Sequence, residues 1–279
     1  MSPYQVRDIA KKYKITKSEA YLIQLKANLK VNRRKWYENN IPPFRPTDEQ
    51  EQIIFGSLLG DGYISKGGKR TENYYYREHF GEGQRAYREW KQRNLNNLGF
   101  SIHGNFLQST SHPYFTELYD QLYNSSGEKI ITEKFLSRCK HPIFLTTLYL
   151  DDGSLVLSYT FNKSTNTVYC HPSIILYTLN FSKVENQLLA NHLNRTFHTN
   201  FVASGHPDGK GFLLKLNKQK EVQHFLNILR PFAEEIPSMS YKTDIQKKIN
   251  TKIESIRKKY GESVNIIMSS SNRKRNYTE

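Results

Sequence analysis

Two aspartates 91 positions apart, Asp61 and Asp152, end two segments of similar character: Ile54-Phe55-Gly56-Ser57-Leu58-Leu59-Gly60-Asp61-Gly62 and Leu145-Thr146-Thr147-Leu148-Tyr149-Leu150-Asp151-Asp152-Gly153. Each reads as an apolar helix with small residues near its start and an Asp-Gly ending. Small residues let two helices pack backbone to backbone, which would bring their C-terminal ends, and with them Asp61 and Asp152, side by side. Carboxylates at the negative pole of a helix dipole are poorly placed unless a cation lies between them. A divalent metal removes that conflict. It also suits phosphodiester hydrolysis, where metals activate water and stabilise the attacking and leaving oxygens. Mg²⁺ prefers carboxylates, carbonyls and water, and Mn²⁺ is expected to substitute. The backbone carbonyls of Gly60 and Asp151, just before each aspartate, are expected as further metal ligands. A single Asp-Gly ending is an ordinary helix stop; a matched pair in a strongly basic chain points to chemistry.

The elements that must position these residues recur in order. Thr47-Asp48-Glu49-Gln50 reads as a capping box opening the first helix. After Gly62 come a turn at Gly67-Gly68, a strand from Tyr74 to Phe80 and a helix from Gln84 to Leu98. Strands and a short helix are expected over 101–123. Pro142, tolerated at a first helical position, opens the second apolar helix. Strands at 154–160 and 167–180, a helix from Ser182, strands over 201–216 and a helix from Lys218 follow. The fold class is therefore α+β, in two tandem halves expected at 46–140 and 141–245. Ile245, Ile249, Ile253, Ile256 and Tyr260 predict a basic amphipathic helix closed by Gly261 within a last segment, 246–279, and disorder is expected from Ser269.

The formal net charge is +15 over 279 residues. Such a field attracts polyanions, and neutralised phosphates release counterions, so nucleic acid is the leading partner. Residues 1–45 hold eleven Lys and Arg against three acids and form a basic helical extension. Its spacing fits a helix-turn-helix with Thr16 as a cap, although Lys14 occupies the place where that motif usually has Gly. No run of apolar residues is long enough to span a bilayer, and no secretory signal is apparent. The two cysteines, Cys139 and Cys170, lack metal-ligand spacing, which fits a reduced, intracellular setting in a bacterial cytoplasm or an organelle.

Both nine-residue segments resemble the LAGLIDADG motif, and the layout is similar to single-chain, two-motif homing endonucleases encoded within group I introns. The resemblance covers about residues 47–245. It implies αββαββα-type halves, pseudo-symmetric, each presenting a saddle-shaped antiparallel sheet to the major groove, and a monomer that cuts a long double-stranded DNA site with Asp61 and Asp152. By position it assigns basic active-site roles to Lys129, in Glu128-Lys129-Ile130-Ile131-Thr132, and to Lys242, in Pro237-Ser238-Met239-Ser240-Tyr241-Lys242. Polar residues after the first motif, His79 and Glu82, would be its water-holding candidates. Lys66, Lys69, Arg70, Arg77, His79 and Arg85 in the first half, with Lys163, Lys210 and Lys215 in the second, are expected on the DNA surface. The motifs share only the penultimate aspartate, so Asp151 is not expected to offer its carboxylate to the metal. The rival implied by the same family is an RNA-binding maturase whose partner would be intron RNA; intact acids at both motif ends favour the nuclease.

Overall fold

The computed structural model describes residues 43–67 and 71–268, together with 10–11, 14–16 and 19. Most of the basic N-terminal segment with its expected helix-turn-helix, Gly68 of the expected turn, the DNA-surface candidates Lys69 and Arg70, and the tail expected to be disordered lie outside the described residues. The chain divides into two compact units, Met1–Phe44 and Arg45–Glu279. In the first, the Thr16 hydroxyl accepts from the Glu19 amide at 3.2 Å while the Glu19 carboxylate accepts from the Thr16 amide at 2.7 Å. Lys14 takes a left-handed backbone, φ 52°, where glycine would be unstrained.

The second unit begins with helix α1, Asp48–Leu59, opened by the expected capping box between Thr47 and Gln50. Strands β1 (Gly62–Lys66) and β2 (Tyr74–His79) follow, then helix α2 (Arg85–Asn94), strands β3 (Ser101–His103) and β4 (Phe106–Gln108), and helices α3 (Pro113–Leu122) and α4 (Glu133–Leu136). The pattern repeats with α5 (Pro142–Asp152), β5 (Gly153–Asn162), β6 (Thr167–Leu176), α6 (Lys183–Phe197), β7 (Val202–Gly205), β8 (Phe212–Leu216) and α7 (Gln219–Ala233). Pro142 stands at the start of α5, whose first turn is capped by the His141 ring. Two antiparallel sheets result, ordered β1-β2-β4-β3 and β5-β6-β8-β7. The shared order makes the halves pseudo-symmetric. β6 ends at Leu176, short of the expected 180, because the chain turns into a loop that caps α6 through Ser182.

Helices α1 and α5 pack together at the centre of this unit. A Cβ at Gly56 would lie 2.4 Å from the Phe144 carbonyl oxygen and 2.9 Å from Thr147 Cβ. The backbones can approach this closely only because residue 56 has no side chain. Ile53, Ile54, Phe55, Leu58 and Leu59 of α1 and Phe144, Leu145, Leu148, Tyr149 and Leu150 of α5 are all buried. At the opposite end from the aspartates, buried Gln52 ties the helices' starts: its amide donates to the Arg138 carbonyl at 2.7 Å and accepts from the Lys140 amide at 3.0 Å.

The short helix α8 (Ser240–Thr243) leads into α9 (Ile245–Tyr260) and strand β9 (Asn265–Met268). β9 pairs in parallel with Thr167–Cys170 of β6, the stretch that β8 does not reach. Buried Ile256 of α9 packs with Leu157, Val168, Cys170 and Val264, and Ile249 joins the rim of that cluster, so the isoleucine stripe serves the core. No helix among the described residues is long and apolar enough to cross a membrane.

Candidate active site

Asp61 and Asp152 stand at the C-terminal ends of the paired helices. Gly60 closes α1, its amide donating to the carbonyls of Gly56 and Ser57, and Asp61 follows at once. Asp152 is the last residue of α5, and Gly153 starts β5. Gly60 and Asp151 face each other across the helix pair: a Cβ on Gly60 would fall 2.6 Å from Asp151 Cβ.

Each expected lysine lies against the backbone of one motif end. Lys129 Nζ donates to the Gly62 carbonyl at 2.8 Å and to the Gly60 carbonyl at 3.4 Å, on either side of Asp61. Lys242 Nζ donates to the Leu150 carbonyl at 2.6 Å and to the Asp151 carbonyl at 2.9 Å, both before Asp152. The two carbonyls expected as metal ligands therefore already accept from ammonium groups. Burial pushes the Lys129 ammonium down to about 8 against the pull of Asp152, Asp151 and Asp61. Burial also lowers Lys242.

The two carboxylates have different surroundings. Among the described residues no side chain bonds or pairs with the Asp152 carboxylate. Burial first, then the charges of Asp61 and Asp151, push it up to about 7, and the nearby Lys129 and Lys242 only partly offset this. Asp61 is paired through Oδ2 with Arg88 Nη2.

Arg88 belongs to a buried ionic cluster that sequence reading missed. Arg88, Lys91, Glu78 and Asp151 all have fully buried side chains. Arg88 Nε lies against Glu78 Oε1 as a charge contact, off the line of a hydrogen bond. Its Nη1 is 3.4 Å from Asp151 Oδ1. Lys91 Nζ donates to Glu78 at 2.9 Å and to both Asp151 oxygens at 2.9 and 3.0 Å. The Tyr76 hydroxyl donates to the other Glu78 oxygen. Burial alone would raise Glu78, but Lys91 and Arg88 together hold it below the usual carboxylate range, whereas burial wins at Asp151 and raises it. Oxygens of Asp61, Glu78 and Asp151 lie within 4.8 Å of one another, and Arg88 and Lys91 pair with all three, two cations against three carboxylates. The Asp151 carboxylate is held by Lys91 through both oxygens and faces Arg88 Nη1.

A signal for this cluster was present in the sequence. In β2, Tyr74, Tyr76 and Glu78 fall on one face of the strand and Tyr75, Arg77 and His79 on the other. A carboxylate in a core register calls for a cation, and Arg88 and Lys91 share the buried side of α2 with Tyr87.

The opposite faces of the sheets, turned away from the helices, are polar. Arg77 and His79 lie there, with Tyr63, Ser65 and Tyr75. The Arg77 guanidinium stacks 3.8 Å over the Phe106 ring, and His79 packs on the same ring. On the second sheet the corresponding face carries Ser158, Thr160 and His171, with Thr160 Oγ1 3.2 Å from His171 Nε2. Lys215 of β8 pairs with Ile175 on that face. Lys163 and Lys210 are exposed in the β5–β6 and β7–β8 turns. Lys66 falls on the side of β1 shared with Ile64, its Nζ 5.7 Å from the Tyr74 ring. Arg85 is engaged by Glu82 at 2.6 and 2.9 Å, which also occupies Glu82.

The sequence model of the LAGLIDADG DNA endonuclease family matches residues 51–225. A probable intron-encoded endonuclease of Wickerhamomyces canadensis is 27% identical over 207 residues, covering 69% of this chain and 83% of that protein. The RecA protein of Mycobacterium shimoidei is 32% identical over 120 residues, 41% of this chain. The match covers only 28% of that RecA protein, so this chain is similar to one part of a longer relative. The solved structure of the homing endonuclease I-WcaI bound to its DNA recognition sequence superposes with a TM-score of 0.58 at 23% identity, covering 77% of this chain and 93% of that one, and shares its fold. With both nine-residue motif segments, 54–62 and 145–153, inside the matched span, the chain belongs to the LAGLIDADG DNA endonuclease family.

Proposed function

We propose that the chain is a site-specific endonuclease of double-stranded DNA, acting as a monomer on one long recognition sequence with divalent metal at Asp61 and Asp152. The observation that carries this reading is the paired helix ends: each aspartate lies beside a lysine whose ammonium is bonded to the adjoining backbone. The donor set fits a hard cation. Asp152 is a carboxylate forced upward by burial and by other acids, without a side-chain partner among the described residues, and Asp61 has one oxygen outside its Arg88 pair. Mg²⁺ suits such oxygen donors and Mn²⁺ should replace it. When bound, the metal supplies Lewis-acid stabilisation and a more acidic water.

The remaining work falls to the protein. Lys129 and Lys242 place positive charge where the phosphate gains negative charge, and they fix the motif backbones that aim the aspartates. The polar sheet faces, with Arg77, His79, Ser158, Thr160, His171 and Lys215, offer donors and acceptors to base edges in the major groove. Lys163 and Lys210 are suited to backbone phosphates. DNA as partner draws on the relatives, among them an endonuclease and a DNA-bound enzyme. The test is selection from a randomised duplex library with Mg²⁺: recovery of one long cleaved sequence is expected. A protein that cuts no duplex but binds a structured intron RNA tightly would be a splicing factor instead.

A further inference from the structure

The pseudo-symmetry of the halves breaks at one register position beside the aspartates. The glycine that ends the first motif, Gly62, pairs across the sheet with Glu78. Its counterpart Gly153 pairs with Leu176. Behind Glu78, helix α2 supplies buried Arg88 and Lys91; the corresponding helix α6 buries Asn186, Leu189, Ala190, His192, Leu193 and Phe197, with no Arg or Lys among them. One aspartate is therefore backed by an ionic layer and the other by a layer without a buried Arg or Lys.

We propose that Arg88 is a positioning residue that makes the two centres unequal. Its planar fork faces three carboxylates in three directions: Glu78 from Nε, Asp151 from Nη1 and Asp61 from Nη2. Glu78 is anchored in turn by Tyr76 and Lys91, and Asp151 by Lys91, so the fork has no freedom to swing. Arg88 holds Asp61 Oδ2 and leaves only Oδ1 for a cation, which fixes the direction from which Asp61 binds it. Because Asp151 comes from the other motif helix, this tether also locks the first centre to the second half. Asp152 has both oxygens free of side-chain partners among the described residues. The centre at Asp61 offers one preset oxygen; the centre at Asp152 offers both.

This inference rests on the endonuclease reading, and its test separates the two. The recovered duplex is labelled on each strand, and Asp61→Asn and Asp152→Asn assign each strand to its aspartate. Arg88→Lys keeps the charge and loses the fork. The double variant Glu78→Leu with Arg88→Met removes opposite charges together and leaves Lys91 paired with Asp151, which protects folding. Both are expected to slow the strand assigned to Asp61 by roughly 10- to 100-fold, as misplacement of a reacting group does, with the other strand at its native rate. Mn²⁺ binding to the free protein, followed by electron paramagnetic resonance in an Asp152→Asn background, should tighten in the double variant because Oδ2 is released. In an Asp61→Asn background it should not change. Parallel slowing of both strands, or Mn²⁺ affinity that is unmoved or weakened in the Asp152→Asn background, would overturn the proposal. A native chain that cuts neither strand would strike the endonuclease reading itself, and the Mn²⁺ comparison would still decide the role of Arg88.

Discussion

Lys242 reaches back across 91 positions to donate from Nζ to the Asp151 carbonyl oxygen at 2.9 Å. The Tyr149 hydroxyl returns the contact by donating to the Lys242 carbonyl at 2.6 Å, so helix α8 is clasped to the end of α5. Lys129 makes the equivalent reach to Gly62 in the first half. Lys129→Met and Lys242→Met should each lower cleavage by roughly 10²- to 10³-fold, the cost of losing one preorganised charge at a reacting phosphate. Equilibrium binding to the same duplex should change little. Gel-shift titration beside single-turnover cleavage checks this.

The closeness of α1 and α5 makes Gly56 a steric requirement. A Cβ there meets backbone, the Phe144 carbonyl oxygen at 2.4 Å, which cannot rotate away. Gly56→Ala is expected to destabilise the protein by about 1–3 kcal/mol, the usual range for overpacking a core. It should also lower activity by prising apart the aspartates. Thermal unfolding followed by circular dichroism gives the stability change.

Lys91 joins Glu78 and Asp151 with no exposure of its side chain. Lys91→Met leaves a buried negative charge without compensation and should cost about 3–5 kcal/mol, measured by denaturant unfolding. Adding Asp151→Asn should restore part of that loss, because the cluster then loses one charge of each sign. Independent, additive effects would show that the pair is not coupled.

Two titrations near the motif ends set the pH dependence. Asp152 is raised from 3.8 to about 7, so between those values the native state holds a proton that the unfolded chain has lost. Metal-free stability should therefore fall as pH rises across that window; Asp151, raised to about 6, adds to the slope at its lower end, so Asp152→Asn should flatten it chiefly between pH 6 and 7. Metal binds the deprotonated form, so below pH 7 the Mg²⁺ needed for half-maximal cleavage should rise by about tenfold per pH unit. Above about pH 8, Lys129 loses its charge and the rate should fall even at saturating Mg²⁺. A rate that climbs steadily through pH 9 would rule out a charged Lys129 in the reaction.

Much of the architecture could be read from local pattern. The capping box at Thr47, proline at the head of α5, the alternation in β2 and the repeated order of elements all depend on neighbours in sequence. Lys129 and Lys242 were reached through resemblance to a family, and the structure puts both on the motif backbones. The ionic cluster was missed because its partners come from α1, β2, α2 and α5, and nothing local says that Arg88 and Lys91 point inward while Arg85 beside them points out to Glu82. Among a chain's many surface cations, two buried ones look alike until the strand register places Glu78 opposite them. The second sheet's open face is likewise hard to read from charge alone, because Ser158, Thr160 and His171 hold it beside Lys215.

The most direct test compares the native chain with Asp61→Asn and Asp152→Asn on the recovered duplex, with Mg²⁺, measuring strand cleavage and DNA affinity together. The account predicts that the native chain cuts both strands and that each substitution abolishes double-strand cutting while affinity stays near native. Undiminished cutting of both strands by either variant would contradict it, because an aspartate at a motif end would then have no part in the chemistry.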